Sequence, residues 1–129
     1  MRRFLNDLPN VPKAVGPYSQ AVEAAGFLFL SGQVGLNPET GALVEGGLVA
    51  QAEQALKNLS AVLSARSLSF ENVVKTTIFL TSMADFKSVN EVYSRVLGEN
   101  RPARSTIQVA GLPLGAVVEM EMTAAIAYS

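Results

Sequence analysis

The stretch that most constrains the fold is residues 102–127, PARSTIQVAGLPLGAVVEMEMTAAIA. It contains two runs rich in β-branched and apolar residues, separated by a Gly-Leu-Pro-Leu-Gly connection. Runs of this kind, bounded by glycine and proline, are typical of strands joined by a turn. We therefore predict strands at residues 105–110 and 117–127.

Side chains alternate between the two faces of a strand. Arg104, Thr106 and Gln108 should therefore share one face, opposite Ser105, Ile107 and Val109. In the second strand, Glu119, Glu121 and Thr123 should lie opposite Val118, Met120, Met122 and Ile126. One part of the sheet would thus carry a guanidinium and at least one carboxylate among apolar neighbours. Charge is costly in such a place, which favours a functional interpretation.

Composition narrows the functions open to the chain. Its 129 residues fit one domain, and 49% of them are hydrophobic against 16% charged, with mean hydropathy +0.27. Such a composition predicts that some apolar surface lies in a subunit interface. The net charge of −1 disfavours nucleic acid as the main ligand. With neither cysteine nor histidine, thiol and imidazole catalysis are excluded, and zinc is not expected.

Residues 1–12 lack the apolar core of a signal peptide, and no apolar run reaches the roughly 18 residues of a membrane helix. We therefore expect a cytoplasmic protein with no membrane contact.

The N-terminal third is expected to begin irregularly and then to supply strands, with a turn at residues 37–41 that closes a hairpin. Residues 1–17, with three prolines, are predicted to be irregular. The segment 15–20 is predicted to be a turn that presents Tyr18, as a half-buried aromatic with its hydroxyl in water. Residues 26–31 are predicted to form a strand buried on both faces. Gly32, just after it, marks either a simple bulge or a backbone amide that faces a ligand.

Two helices and a central strand follow the turn at residues 37–41. The first helix starts after Gly46-Gly47, with an apolar stripe at Leu48, Ala52, Ala55, Leu56, Leu59, Val62 and Leu63 and a polar side that includes Gln51 and Asn58. Residues 73–80 are β-branched and aromatic, as in a central strand.

The second helix is expected to have Ser82 as its N-cap and Gly98 at its end, with an apolar stripe at Phe86, Val89, Tyr93, Val96 and Leu97. Asn90 lies at the edge of that stripe, either as a structural amide or as a donor to a site.

This order of elements predicts a sheet with both helices on one side. The other face would be mixed in character, with Thr106, Gln108, Glu119 and Thr123 beside Val117, Ala125 and Ala127. It is too apolar to be left bare, so an oligomer that covers it is the simplest expectation.

Several motifs, in order and spacing, cover nearly the whole chain: VGPYSQA, LSGQVGLNPETG, VVKTTIFL, DFKSVNEVY, and PARSTIQVAGLP followed by VEME. In these the chain resembles the RidA (YjgF) family of reactive-intermediate deaminases. The resemblance implies a single domain over residues 1–129 with an α+β, chorismate-mutase-like fold of the Bacillus type. It also implies a mixed sheet of about six strands with two helices on one face. The family forms homotrimers in which the sheets make a central barrel and clefts lie between subunits.

The activity implied is the hydrolysis of enamines and imines, such as 2-aminoacrylate and 2-iminobutanoate, to 2-keto acids and ammonia. Pyridoxal-phosphate-dependent dehydratases release such compounds. The resemblance implies no cofactor and no metal.

Residue roles also follow from the resemblance. Arg104 matches the arginine that holds the substrate carboxylate, and Glu119 matches the carboxylate that positions or activates water. The substrate-binding positions implied beside Arg104 are Tyr18, Ser31, Gly32, Asn90 and Thr106. Many members have cysteine where this chain has Thr106, so a thiol-based oxidant sensor is lost there while hydrolysis is not.

Other readings of the same residues stay open. Arg104 and Glu119 could form a structural ion pair in an interface. The clefts could bind a small carboxylate or metabolite for regulation, without turnover. An RNA-cleaving or translation-inhibiting activity, attributed to some relatives, fits less well because the chain lacks basic patches and histidine.

Overall fold

The computed structural model describes residues 1–126, which form one α+β domain around a single mixed sheet. In chain order the elements are β1 (Arg3–Leu5), β2 (Ala21–Ala24), β3 (Phe27–Val34), α1 (Gly47–Ala65), β4 (Val73–Leu80), α2 (Phe86–Leu97), β5 (Ala103–Gln108) and β6 (Val118–Ala125). The strand order is β1-β2-β3-β6-β4-β5. Neighbouring strands are antiparallel except β4 and β5, which α2 connects as a parallel pair.

The predicted elements of the C-terminal two thirds are confirmed. The strand at residues 73–80 has the bounds expected, and Ser82 caps the short turn before α2 by accepting a bond from the Ala84 amide. The last two strands are shorter or shifted by one or two residues relative to the prediction. Position 127, the predicted end of the last strand, lies outside the described residues.

The prediction that residues 1–17 are irregular is wrong in part, because Arg3–Leu5 form β1; β2 lies beyond that segment and is not among the predicted strands. Each has only three or four residues, too few for a period to be read from the sequence. They exist because β2 forms a hairpin with β3 and β1 then pairs with β2.

Strand β3 is buried on one face only, which corrects the expectation of a strand buried on both. Leu28 and Leu30 are covered, whereas Phe27 is 38% exposed and Phe29 is 45% exposed. The pairing register with β6 shifts between Leu30 and Gln33. The bulge interpretation at Ser31-Gly32 is therefore confirmed.

Both helices pack on the same face of the sheet and against each other, as predicted. The core between them and the sheet includes Leu28, Leu56, Leu59, Leu63, Ile78, Leu80, Val89 and Met120. Gln51 and Asn58, predicted on the outer side of α1, are buried instead. Asn58 donates to the carbonyls of Val34 and Leu36, and Gln51 accepts from the Val117 amide at 2.8 Å. These amides satisfy backbone groups where strands end, a pairing that depends on tertiary structure.

The face away from the helices, here called the open face, carries several exposed apolar side chains. Ile107 is 46% exposed and Phe4 is 62% exposed, in addition to the two phenylalanines of β3. Thr106 and Gln108 were predicted on this face, and that prediction is wrong. Thr106 pairs in register with Ile78, which is fully buried beneath the helices. Because register partners point to the same side of a sheet, Thr106 and Gln108 face the helix side.

Within residues 1–126, neither helix has the length and apolar character that crossing a bilayer requires.

Candidate functional site

Arg104 is held on the helix side of β5 by residues of α2. Its Nη2 donates to Oδ1 of Asn90 at 2.7 Å. The guanidinium carbon lies 5.1 Å from the ring centre of Tyr93 and 5.8 Å from that of Phe86. These side chains, together with Thr106, are called the arginine cluster below. A guanidinium fixed by one amide and two rings can present its remaining donors to a bidentate acceptor such as a carboxylate.

Tyr93 is itself fixed from below. Its hydroxyl donates to Oγ1 of the fully buried Thr76 at 3.0 Å. Burial raises the pKa of Tyr93, while the bond to Thr76 and the charges of Arg104 and Arg101 act against that rise. The tyrosine therefore stays neutral at physiological pH, and its ring serves as a rigid support for Arg104.

Thr106 lies two residues after Arg104 on the same face of β5. Its Oγ1 is the buried side-chain oxygen or nitrogen that lacks a hydrogen-bond partner within residues 1–126. An unpaired buried hydroxyl costs about 1–3 kcal/mol. The cluster therefore contains a hydroxyl that the fold alone does not use.

Thr106→Val is accordingly expected to leave the free energy of unfolding unchanged or to raise it by about 1 kcal/mol, because an unpaired hydroxyl is removed at constant shape. Urea denaturation measures this. The matched control is Thr76→Val on the neighbouring strand, which orphans the Tyr93 hydroxyl and should cost about 1–2 kcal/mol. Equal losses in the two variants would mean that Thr106 has a structural partner in solution.

Glu119 lies on the open face, against the bulge of β3. A Cβ atom placed on Gly32 would lie 2.6 Å from Oε2 of Glu119, so the absence of a side chain at position 32 makes room for the carboxylate. Burial, and to a lesser degree the neighbouring charge of Glu121, raises the pKa of Glu119 above its ordinary value. Glu119, Gly32 and Ser31 are called the glutamate cluster below. A half-buried carboxylate with a raised pKa is a better proton acceptor than an ordinary surface glutamate.

Ser31 ties the glutamate cluster to the turn that carries Tyr18. Its hydroxyl donates to the carbonyl of Ser19 at 2.6 Å, and its amide donates to the carbonyl of Gln20 at 3.0 Å. Tyr18 itself is 47% exposed. Ser31 thus fixes the segment next to Tyr18 beside the bulge.

The two clusters lie on opposite faces of the sheet. Arg104 pairs in register with Thr76, whereas Glu119 pairs with Phe79, three residues further along β4. An odd separation along a strand places side chains on opposite sides. Ordinary strand spacings put the two Cα atoms about 14 Å apart. Arg104 therefore shares the helix side with Thr106 and Gln108, which were predicted on the same face as Glu119.

Sequence reasoning assigned Phe86 and Tyr93 only to the apolar stripe of α2. Their second role, contact with Arg104, was not predicted. The signal was present, since Phe86, Asn90 and Tyr93 fall at i, i+4 and i+7 and so share one helix face. The sequence does not show how β5 pairs with β4, and this pairing is what places Arg104 beneath that helix face.

Within the described part of the chain, no group of three or more carboxylate, imidazole or thiol side chains is arranged to hold a metal ion.

The chain is similar to a known protein family and to several named proteins. The family model described as Endoribonuclease L-PSP matches residues 8–126. A Mus musculus protein named 2-iminobutanoate/2-iminopropanoate deaminase is 52% identical over 113 residues, covering 88% of this chain and 84% of that protein. The Homo sapiens protein of the same name is 48% identical, with 88% and 82% covered.

Solved structures agree with the fold. RidA from an Antarctic Psychrobacter has a TM-score of 0.90 at 44% identity, covering 95% of this chain and 99% of that one. Escherichia coli TdcF with bound serine has a TM-score of 0.89 at 35% identity, covering 95% and 98%.

Proposed function

The chain belongs to the Endoribonuclease L-PSP family, the RidA family that its motifs resemble, and on that premise we propose that it hydrolyses small imino acids. Its substrates would be imines and enamines such as 2-iminobutanoate and 2-aminoacrylate, and its products 2-keto acids and ammonia. Relatives about half identical in sequence carry the name 2-iminobutanoate/2-iminopropanoate deaminase, which supports this substrate class.

The observation that carries the proposal is the fixed guanidinium of Arg104. It is oriented by Asn90, Tyr93 and Phe86, and neither of the two ion pairs within residues 1–126 involves it. An arginine held without a carboxylate partner is suited to bind the carboxylate of a ligand. Anchoring the substrate there fixes its C=N carbon relative to a water molecule.

Glu119 would supply the proton chemistry. Water adds to the imine carbon, and Glu119 accepts a proton from that water and passes it to the imine nitrogen. In the resulting carbinolamine, Glu119 then transfers the hydroxyl proton to the amine nitrogen as the C–N bond breaks, which forms the keto group and releases ammonia. An enamine is first protonated at its terminal carbon. General acid–base assistance of this kind contributes about 10²–10⁴-fold.

A complete site then requires Arg104 and Glu119 to come from different copies of the chain. This follows because the two residues lie on opposite faces of one sheet. We extend the proposal to a homotrimer whose sheets form a central barrel, with the sites in the clefts between subunits. The exposed Phe27, Phe29 and Ile107 of the open face support burial against another copy.

The source of substrate would be pyridoxal-phosphate-dependent dehydratases, which release such imines from serine and threonine. The direct test adds the protein to a threonine dehydratase reaction that contains semicarbazide. Because semicarbazide traps the imine, a deaminase should lower the rate of semicarbazone formation in proportion to its concentration. An unchanged rate over a range of protein concentrations would contradict the proposed activity.

The second candidate function is the binding of a small carboxylate without turnover, and the ligand in one solved relative is a reason to test it. The structure of Escherichia coli TdcF contains bound serine, a ligand with a carboxylate. A protein that binds 2-oxobutanoate in calorimetry yet leaves semicarbazone formation unchanged would be a binding module.

Phe86→Leu is expected to raise KM for 2-iminobutanoate about 3- to 10-fold with kcat little changed. Removing one ring from Arg104 weakens the anchor in the ground state and the transition state alike, and a cation–π contact of about 0.5–2 kcal/mol has that effect. Phe86→Tyr keeps the ring and serves as the matched control. A fall in kcat with constant KM would mean that Phe86 acts on the chemical step instead.

A further inference from the structure

A second guanidinium lies beside the arginine cluster. A cavity of about 350 Å³ is lined by Asn90, Tyr93, Ser94, Arg101, Pro102 and Arg104. Arg101 and Arg104 therefore border the same space. A monocarboxylic imino acid needs only one of them.

The charge of Arg101 is not compensated by a carboxylate within residues 1–126, since the ion pairs there are Glu23–Arg66 and Glu53–Arg95. Both Arg101 and Arg104 act electrostatically on Tyr93 and oppose the effect of its burial on its pKa. Two positive charges thus border the cavity that Tyr93 also lines, and such an arrangement favours a ligand with two negative charges.

Arg101 is also held in place. Its Nη1 donates to the carbonyl of Asn100 at 2.9 Å and to that of Gly98, at the C-terminal end of α2. Both bonds use the same nitrogen. The side chain is therefore positioned beside the cavity while its other nitrogens keep donors for a ligand.

We propose that this cavity binds imino acids with a second carboxylate, with Arg104 holding the carboxylate next to the imine carbon and Arg101 holding the distal one. The substrate class is the 2-imino dicarboxylates, the imine counterparts of aspartate and glutamate. The inference rests on the proposed function for its reaction, but the binding preference stands on the two arginines alone.

Calorimetry with stable keto acids tests the preference without turnover. Wild type should bind 2-oxoglutarate about 10-fold more tightly than 2-oxobutanoate, as expected for one additional, partly solvated charge-assisted bond. Arg101→Gln should remove that ratio while leaving the affinity for 2-oxobutanoate within about twofold. Arg101→Lys should keep part of the ratio, because charge remains and the fork is lost.

The matched control is Arg95→Gln. Arg95 is an exposed arginine of α2 that pairs with Glu53 and does not line the cavity. The substitution removes the same charge at a position outside the cavity, so it should leave the ratio unchanged. A ratio near one in wild type, or an equal loss in the Arg95 and Arg101 variants, overturns the inference. Thermal denaturation of each variant separates a loss of fold from a loss of affinity.

Turnover separates this inference from the proposed function. An amino-acid oxidase generates the imine of glutamate, and a dehydratase generates 2-iminobutanoate, each in the presence of semicarbazide. If wild type and Arg101→Gln both hydrolyse the two imines, and the ratio of the two rates is the same in both proteins, the inference is overturned and the proposed function stands. Tight, Arg101-dependent binding of 2-oxoglutarate without any hydrolysis would support the dicarboxylate site and overturn the function.

Discussion

Arg104→Ala is expected to lower kcat/KM for 2-iminobutanoate hydrolysis about 100- to 1000-fold, because losing one partner of a desolvated charge pair costs about 3–4 kcal/mol. The substrate loses its carboxylate anchor, and with it the position of the C=N carbon. The measurement is the semicarbazone assay at several substrate concentrations. Saturation should no longer be reached in the range that saturates wild type.

Arg104→Lys is the informative control for this prediction. It keeps a positive charge but cannot present two parallel donors, and it cannot stack on Tyr93 and Phe86 as a planar group does. Its activity should lie between those of wild type and Arg104→Ala. If the alanine variant hydrolyses the imine as well as wild type, Arg104 is not the anchor.

Glu119→Gln is expected to lower kcat about 100-fold or more by removing the proton acceptor for the attacking water.

The same variant is expected to be more stable than wild type at neutral pH. Because burial raises the pKa of Glu119, the folded protein holds this proton more tightly than the unfolded chain. Ionised Glu119 therefore costs stability at neutral pH. The cost is absent below the ordinary pKa of 4.5 and develops as pH rises through the folded pKa.

The glutamine variant should thus be more stable than wild type at pH 7, and this advantage should disappear as the pH approaches 4. Thermal denaturation at both values measures it. Gain of stability with loss of activity is the combination that a purely structural glutamate would not produce. Full activity in Glu119→Gln would remove its role in the chemistry.

The two inactive variants also test where the site is assembled. If each site takes Arg104 from one copy and Glu119 from another, mixed assemblies of the two variants contain some sites with both native residues. Random mixing at equal amounts gives about one quarter of wild-type activity. Sites built within one chain would stay defective in every mixture, so an inactive co-expressed pair would contradict a composite site.

Local signals were enough for the long elements of the fold. The β-branched run of β4 and the apolar stripes of α1 and α2 are long enough to be identified from the residues of each element alone. The strands β1 and β2 were missed because β2 is stabilised by pairing with β3, and β1 by pairing with β2, rather than by their own residues. The buried Gln51 and Asn58 were misplaced for a related reason, since the backbone groups they satisfy lie far away in sequence.

The candidate site was predictable as a set of residues and not as a geometry. Family motifs pointed to Arg104 and Glu119, and the alternation within each strand was correct. The prediction of which side chains of β5 face the same side as Glu119 of β6 was wrong. The two strands are not neighbours in the sheet, because β5 pairs with β4, in parallel. Alternation within a strand says which residues share a side, and only the pairing between strands says which side that is.

The two clusters differ in how much of the molecule must be assembled to make them. Phe86, Asn90, Tyr93 and Arg104 come from one continuous helix-and-strand segment, whereas Gly32 and Glu119 meet only when β3 and β6 are paired. The contacts that orient Arg104 are thus mostly local in sequence, with Thr76 of β4 as a support from outside that segment. The contact between Gly32 and Glu119 is long-range and exists only in the finished sheet.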